Sequence, residues 1–311
     1  MKTRVVRVAE GISPAVALLA SGEIVGLPTE TVYGLGADAL NPEACAKIFE
    51  AKHRPLSDPL IVHVPDMEWA SRLAEFSPEA WKLAEAFWPG PLTLVLPRRD
   101  IVPDIVTAGQ STVAIRWSAH PVFQEIVERF GKPIAAPSAN RFGRISPTCA
   151  LDVVAELDGE VALVVDGGSC AHGLESTIVC VEGANFRVLR NGPVTSEDLA
   201  AFGHVVSVGK DILAPGGFKS HYAPATPVEV VSEVPAPRPG CGLLAWSHDG
   251  SGFAHVEHLS ARRDLREAAA NLFGAMRRLD ALGLELIIAE SVPEQGLGAA
   301  IMERLHKAAA R

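Results

Sequence analysis

Three times before residue 90 the chain sets a serine or asparagine cap directly in front of a proline: Ser13-Pro14, Asn41-Pro42 and Ser77-Pro78. Ser and Asn side chains accept from the free N–H groups of a first helical turn, and proline's fixed φ suits the first helical position. Each pair follows a short apolar run of strand character: Val5 to Val8, Glu23 to Leu27 and Leu60 to Val64. Further strands are expected at 92–96, 112–117, 134–136, 162–165, 177–181 and 186–189, with helices at 121–130 and 150–157. Strands alternating with helices make an α/β fold, and the close spacing of the later strands makes its sheet mixed. The helix opened by Asn41 must end near Lys52 to Arg54, because Pro55 disfavours the helical conformation in the residue before it.

The alternation breaks at 214–227. Ala214-Pro215-Gly216-Gly217 and Ala223-Pro224-Ala225-Thr226-Pro227 bracket Phe218, Lys219, Ser220, His221 and Tyr222. Such Pro/Gly density marks a linker, but an inert tether has no need of a lysine, a histidine and two aromatics. Beyond it, strands at 228–231, 242–246 and 284–289 and helices at 262–282 and 297–310 form a smaller α/β unit. The expected division is a domain at 1–210, a linker at 211–227 and a second domain at 228–311. The net charge of −9 argues against a broad nucleic-acid footprint and confines any RNA contact to a local patch. The five cysteines form no CxxC pair and read as reduced thiols, so a cytoplasmic location is expected. MKTRVVRVAEG has no long apolar core behind its charges, so no signal peptide is expected. No run approaches 18 apolar residues, so no membrane helix is expected either.

Several clusters could carry chemistry. Lys52 and Arg54, fixed by Pro55, could hold phosphates, although basic helix ends are also common as solvated complements to the helix dipole. Ser138 and Asn140 follow the strand at 134–136, where open α/β sheets place ligands; Arg141, Arg144, Ser146 and Thr148 add donors, and an ordinary turn is the equal alternative. Gly167 to Thr177 is glycine-rich and could point N–H groups at an anion, or could be a plain hairpin loop. Gly34 and Gly36 with Asp58 loosely fit a dinucleotide fingerprint, but the polar segment before them is a poor strand, and a tight turn is the better reading. There is no GxxxxGK[ST], GxSxG or HExxH. Cys170 and His172 do not make a metal site, nor do His248, His255 and His258.

Taken together, the motifs are more specific. Leu27-Pro28-Thr29-Glu30-Thr31-Val32-Tyr33-Gly34, Lys52-His53-Arg54-Pro55, Pro59-Leu60-Ile61-Val62-His63 and Trp88-Pro89-Gly90-Pro91 occur in order. Ala136-Pro137-Ser138-Ala139-Asn140, Glu175-Ser176-Thr177 and Arg190-Asn191-Gly192 follow. This series resembles the YrdC/Sua5 family, the L-threonylcarbamoyladenylate synthases, and the loaded linker and second domain resemble its long Sua5 type. The resemblance implies a twisted, open mixed-sheet YrdC-like catalytic domain and a smaller Rossmann-like α/β C-terminal Sua5 domain. It implies condensation of L-threonine, bicarbonate and ATP to threonylcarbamoyl-AMP and pyrophosphate, with Mg²⁺ accompanying ATP. The product would serve N6-threonylcarbamoylation of adenosine in tRNA by a partner threonylcarbamoyl transferase complex, with weak tRNA binding at most. Carried over by position, Lys52 and Arg54 would be the catalytic cations, and Thr31, His63, Arg116 and Ser176 would hold threonine. Lys52, Arg54, Asp58, Thr112, Ser138, Asn140, Ser146, Arg190, His221 and Tyr222 would surround ATP. No protein metal site is implied. Two departures stand out: Asp58 occupies a position where many members have asparagine, and Gly217 and Ser220 replace bulkier or basic linker residues. An acid beside a triphosphate would repel it unless it helped to hold Mg²⁺.

Overall fold

The structure, a computed structural model, describes residues 2–206 and 221–310. The expectations for Gly217, Lys219 and Ser220 lie outside these residues.

The chain opens with β1 (Arg4–Arg7), α1 (Val8–Ala20), β2 (Val25–Leu27), β3 (Gly34–Asp38), α2 (Pro42–Lys52) and β4 (Ile61–His63). It continues with α3 (Met67–Leu73), α4 (Pro78–Phe87), β5 (Leu92–Pro97), α5 (Asp104–Thr107), β6 (Thr112–Arg116), α6 (Pro121–Phe130) and β7 (Ile134–Ala135). Then come α7 (Ala150–Leu157), β8 (Leu163–Asp166), β9 (Thr177–Glu182), β10 (Asn185–Arg190), α8 (Ser196–Ala200) and β11 (His204–Val206). All eleven strands form one sheet in the order β1-β8-β2-β3-β7-β4-β6-β5-β9-β10-β11. It is mixed: β4 pairs parallel with β6 and antiparallel with β7, and β5 pairs antiparallel with β6 and parallel with β9.

Two local expectations are corrected. Helix α1 does not start at Pro14; it starts at Val8, and Pro14 lies inside it. Packing outweighs the proline here, because a side chain at Gly11 would meet Val165 and Val6 at 3.0 Å, so the helix's early residues lie tight on β8 and β1. Gly34 and Gly36 form no turn but lie in the fully buried β3, antiparallel to β2. A Cβ on Gly36 would sit 2.8 Å from Leu27 Cδ1 and 3.1 Å from Ile134 Cγ2. Glycine thus allows neighbouring side chains to close over the strand. Nor is Gly167 to Thr177 a hairpin: β8 pairs with β1 and β2, and β9 with β5 and β10, so the loop crosses the sheet.

The second unit contains β12 (Val228–Val231), β13 (Cys241–Ala245), β14 (His255–His258), α9 (Leu265–Asp280), β15 (Leu286–Glu290) and α10 (Leu297–Ala309). Its four strands are all parallel, in the order β12-β15-β13-β14. The crossover direction reverses between β13 and β15, the place where such sheets usually bind ligands. Here the crevice is filled from within. Glu290 Oε2 accepts from the backbone N–H groups of Trp246, Ser247 and His248 at 2.8, 2.8 and 3.0 Å, and Oε1 accepts from the Ser247 hydroxyl at 2.5 Å. His255 and His258 are exposed on β14.

The two units share a core. Val32, Ile145 and Leu174 of the first unit and Tyr222 pack in one apolar cluster with Leu272, Phe273 and Met276 of α9. Gly173 (φ 67°) faces α9 so closely that a Cβ would lie 2.5 Å from the Cα and carbonyl oxygen of Ala270. Around this core, Arg277 reaches Glu156 at 3.1 Å, and Arg144 reaches Asp280 at 3.4 Å.

Candidate active site

A small cavity opens where the loops after β2, α2, β7 and β8 converge with the carboxyl ends of β4, β6 and β10. Thr31, Arg54, His63, Arg116, Ser138, Ser176, Arg190, His221 and Tyr222 line it, as do Thr29, Gly34 and Glu175. Nine of the expected site residues therefore meet in one place. Lys52, Asp58, Thr112, Asn140 and Ser146 are not among the lining residues.

On one side, the parallel strands β4 and β6 end side by side with His63 opposite Arg116. Arg116 is 3 % exposed and densely bonded. Its Nη1 donates to Thr31 Oγ1 at 2.8 Å, its Nε donates to Gly90 O at 3.2 Å, and its Nη2 lies 2.7 Å from Glu30 Oε1. Burial would raise the Glu30 carboxyl, but the Arg116 charge and bonds from Ser118 and Ala119 outweigh it and hold the group down at about 2. Burial, and then the positive Arg116, push His63 down to about 3. His63 is therefore neutral over the ordinary pH range, and its Nδ1 is buried without a partner. Its ring packs on Phe123 at 4.9 Å between centroids.

On the other side, the end of α2 sets Arg54. Asn41 caps the helix by accepting from the Glu43 and Ala44 N–H groups, Pro42 opens it, and His53 ends it at φ 51°. Arg54 then turns inward: Nε donates to Asp58 O at 3.1 Å, Nη2 to Pro59 O at 2.7 Å, and Nη2 lies 2.9 Å from Asp58 Oδ2. Burial raises the Asp58 carboxyl despite the opposing charges of Arg54, Lys52 and Arg190. Asp58 is 1 % exposed and paired with Arg54, which supplies a countercharge to the acid expected beside the phosphates. Lys52 Nζ donates to the backbone carbonyls of Ser138 and Asn140. It braces the loop that carries Ser138 into the cavity. Asn140 staples the same loop from its Nδ2 to the carbonyls of Arg141 and Arg144.

Arg190, at the end of β10, donates from Nε to Ser176 O at 3.0 Å and from Nη2 to Ser176 Oγ at 3.1 Å. Thr93 Oγ1 lies 2.7 Å from Ser176 Oγ. Ser146 is fully buried and donates its hydroxyl to Glu175 Oε1. Thr112 begins β6, opposite Pro97, at the end of the strand remote from Arg116. Above the cavity, the His221 backbone N–H donates to Lys307 O at 3.3 Å. The His221 ring packs edge-on against Phe142 and Tyr222 at 5.7 and 4.2 Å. Tyr222, at φ 61°, stacks on Phe273 of α9 at 5.6 Å. Burial, then the nearby Arg54 and Lys52, push His221 well below its ordinary range.

Sequence reasoning singled out Asp58 but passed over the other acids paired with buried arginines. Glu30 and Glu175 were visible only as members of motifs. Arg304, which pairs with Glu175, had no local signal. Among the described residues no group of three or more His, Cys, Asp or Glu side chains could hold a metal ion, and no helix is long and apolar enough to cross a membrane.

Residues 17–192 match the Sua5–YciO–YrdC family, described as "Telomere recombination", and residues 194–310 match "Threonylcarbamoyl-AMP synthase, C-terminal domain". The chain is 40 % identical over 320 residues to the threonylcarbamoyl-AMP synthase of Pyrococcus abyssi, covering 94 % of this chain and 92 % of that protein. It is 40 % identical over 320 residues to the Bacillus subtilis enzyme of the same name, covering 96 % and 92 %. A crystal structure of P. abyssi Sua5 complexed with L-threonine superposes with a TM-score of 0.88 at 37 % identity, covering 99 % of this chain and 98 % of that one.

Proposed function

The chain belongs to the Sua5–YrdC family of threonylcarbamoyl-AMP synthases, and from that premise we propose how its cavity divides the work. The activity is that of an ATP-using, adenylyl-transferring synthase that serves threonylcarbamoylation of tRNA. In our reading, the Arg116 side of the cavity takes L-threonine and the Arg54–Arg190 side takes the phosphates of ATP. The observation that carries this is the convergence of both sides, with Ser176 between them, under His221 and Tyr222. The proposed domain division remains 1–210, 211–227 and 228–311.

Threonine's carboxylate would take Arg116 N–H donors that Thr31, Gly90 and Glu30 leave over. An arginine has five N–H groups, and these three partners use one each. Neutral His63 offers a hydrogen bond and is unsuited to storing a proton. The amine nitrogen of threonine attacks the carbon of bicarbonate to give a carbamate, with loss of water. A carbamate oxygen then attacks the α-phosphorus of ATP, and the bond to the β-phosphate bridging oxygen breaks to release pyrophosphate. No covalent enzyme intermediate is needed. The protein's part is positioning and charge stabilisation by Arg54, Arg190 and Ser138. Lys52, Asn140 and Asp58 act one step back, holding the Ser138 loop and Arg54 in place. Mg²⁺, bound with ATP, would screen the phosphate charge. Asp58 and Glu175, the acids on this side of the cavity, are each ion-paired to an arginine. The acceptor of the product would be a tRNA-modifying transferase.

The test is pyrophosphate release with threonine, bicarbonate and ATP omitted in turn. Each omission should abolish it, and Arg54→Ala should reduce it to background. Release that persists without threonine would overturn the assignment.

A further inference from the structure

Helix α10 belongs to the small domain, yet its side chains reach the catalytic cavity's wall. Glu303 accepts from the backbone N–H and Nδ2 of Asn191, both at 2.9 Å, and Lys307 Nζ donates to Glu303 at 2.7 Å. Between them, Arg304 has no exposed surface at all. Its Nε donates to Glu175 Oε2 at 3.0 Å and its Nη1 to Asn191 O at 2.8 Å. Its guanidinium carbon sits 5.1 Å over the Tyr222 ring. The other oxygen of Glu175 takes the Ser146 hydroxyl. Glu175 is thus a carboxylate in the cavity wall, next to the residue that binds Arg190, and its countercharge comes from the other domain.

An unneutralised Glu175 would harm a phosphate site in two ways. It would repel the polyanion across a dry, weakly screening space. It would also draw on the next cation, Arg190, which lies within electrostatic reach of Glu175 and now holds Ser176. We infer that Arg304 is a positioning residue for adenylylation: by neutralising Glu175 from the small domain, it leaves Arg190 for the ATP phosphates and makes nucleotide affinity depend on the seating of α10. This rests on the assignment of the Arg54–Arg190 side to ATP.

The experiment uses the full-length chain with Arg304→Met, Glu175→Gln and the double substitution. The readouts are KM for ATP, KM for threonine and kcat from pyrophosphate release, with a thermal melt for each variant. Arg304→Met should raise KM for ATP by about tenfold or more, while KM for threonine stays within about twofold, because a bare carboxylate repels the ATP polyanion far more than a zwitterion of no net charge. Adding Glu175→Gln should restore most of the loss, although Arg304 is still missing. A tie that only holds the domains together would lower the melting temperature without this split and without the rescue. A folded Arg304→Met with unchanged KM for ATP would overturn the inference, as would a double variant as defective as Arg304→Met. If Arg304→Met does not fold, the double variant decides: KM for ATP close to that of Glu175→Gln supports the inference, and a value tenfold higher overturns it. A wild-type chain that released no pyrophosphate would overturn the functional reading and this inference together; an active wild type with an indifferent Arg304 would overturn the inference alone.

Discussion

Replacing Arg116 with lysine separates charge from geometry at the threonine side. Lysine keeps a cation opposite Glu30, so the buried acid is not stranded. It loses the planar fork that now spans Thr31, Gly90 and Glu30 at 2.8, 3.2 and 2.7 Å. A charged, bidentate contact to a ligand carboxylate is worth roughly 1.5–3 kcal/mol. That converts to a rise of about 10- to 150-fold in KM for threonine. The ATP side is built by other residues, so KM for ATP should move by less than about threefold. The lost protein bonds cost on the order of 1 kcal/mol each, so the variant should fold and melt only a few degrees lower. Steady-state pyrophosphate release, titrating each substrate against saturating amounts of the others, reads both constants. A folded Arg116→Lys with unchanged KM for threonine would refute the placement of the amino acid. A matching rise in KM for ATP would show that the two halves of the cavity are not separate.

Three other perturbations test the site's supports. His63 is held near 3 against an ordinary 6.5, so the unfolded chain binds its proton first and stability is lost as pH falls from 6.5 towards 3. Between pH 6.5 and 5.5, above most of the range where Glu30 titrates in either state, His63 contributes a slope of at most about 1.4 kcal/mol per pH unit. His63→Gln should flatten urea-melt stability over that window, with the remaining slope due to other depressed histidines such as His221; an unchanged slope would refute the buried neutral state. Asp58→Asn strips Arg54 of its buried countercharge and should cost roughly 3–5 kcal/mol in a denaturant melt, together with a raised KM for ATP. Gly173→Ala forces a Cβ against the α9 backbone at a positive φ and should cost on the order of 3 kcal/mol; a neutral melt would show that the domains are not packed as described.

The parts of this fold legible in the sequence are those fixed by local chemistry. Asn41, Pro42 and Pro55 bound α2 because capping and proline sterics act within a few residues, and Arg54 was therefore placed correctly at its end. Apolar runs gave most of the strands, although not β3, β11 or β14, and the close spacing of the later runs gave a mixed sheet. Glycine was the ambiguous letter. A Gly-x-Gly can mark a turn or a strand so crowded that a methyl would not fit, and only the positions of Leu27 and Ile134 decide which. Pro14 misled for a related reason, since packing of Gly11 on β8 overrode a start signal. In the site, residue types were legible but their partners were not. Lys52 looked like a phosphate ligand, and nothing in the sequence says that two of its three N–H donors go to carbonyls of another loop. Asp58 looked repulsive to phosphate because nothing in the sequence says that Arg54 folds back onto it. The link from Arg304 to Glu175 spans two domains, and no periodicity or motif records it.

The pairing pattern explains how a chain of net charge −9 can hold a pocket for a polyphosphate and a carboxylate. Buried cations without partners would cost several kcal/mol each in the empty protein. Here Arg54 has Asp58, Arg116 has Glu30 and Arg304 has Glu175, so the donors are fixed before any substrate arrives. Each acid holds its arginine by one edge, which orients the remaining N–H groups without repacking on binding. Such preorganisation is what makes fixed dipoles effective in a dry site. It also constrains motion. The units share an apolar core from Val32 to Met276 and are tied by Arg277, Asp280 and Arg304. Swinging one rigid domain off the other would open that core and strand three charges. Substrate entry is therefore expected to use a local movement near His221 and Tyr222. A disulfide or crosslink between α9 and the Ile145 loop should leave turnover intact, whereas immobilising His221 should not; loss of activity on crosslinking the domains would reverse this view.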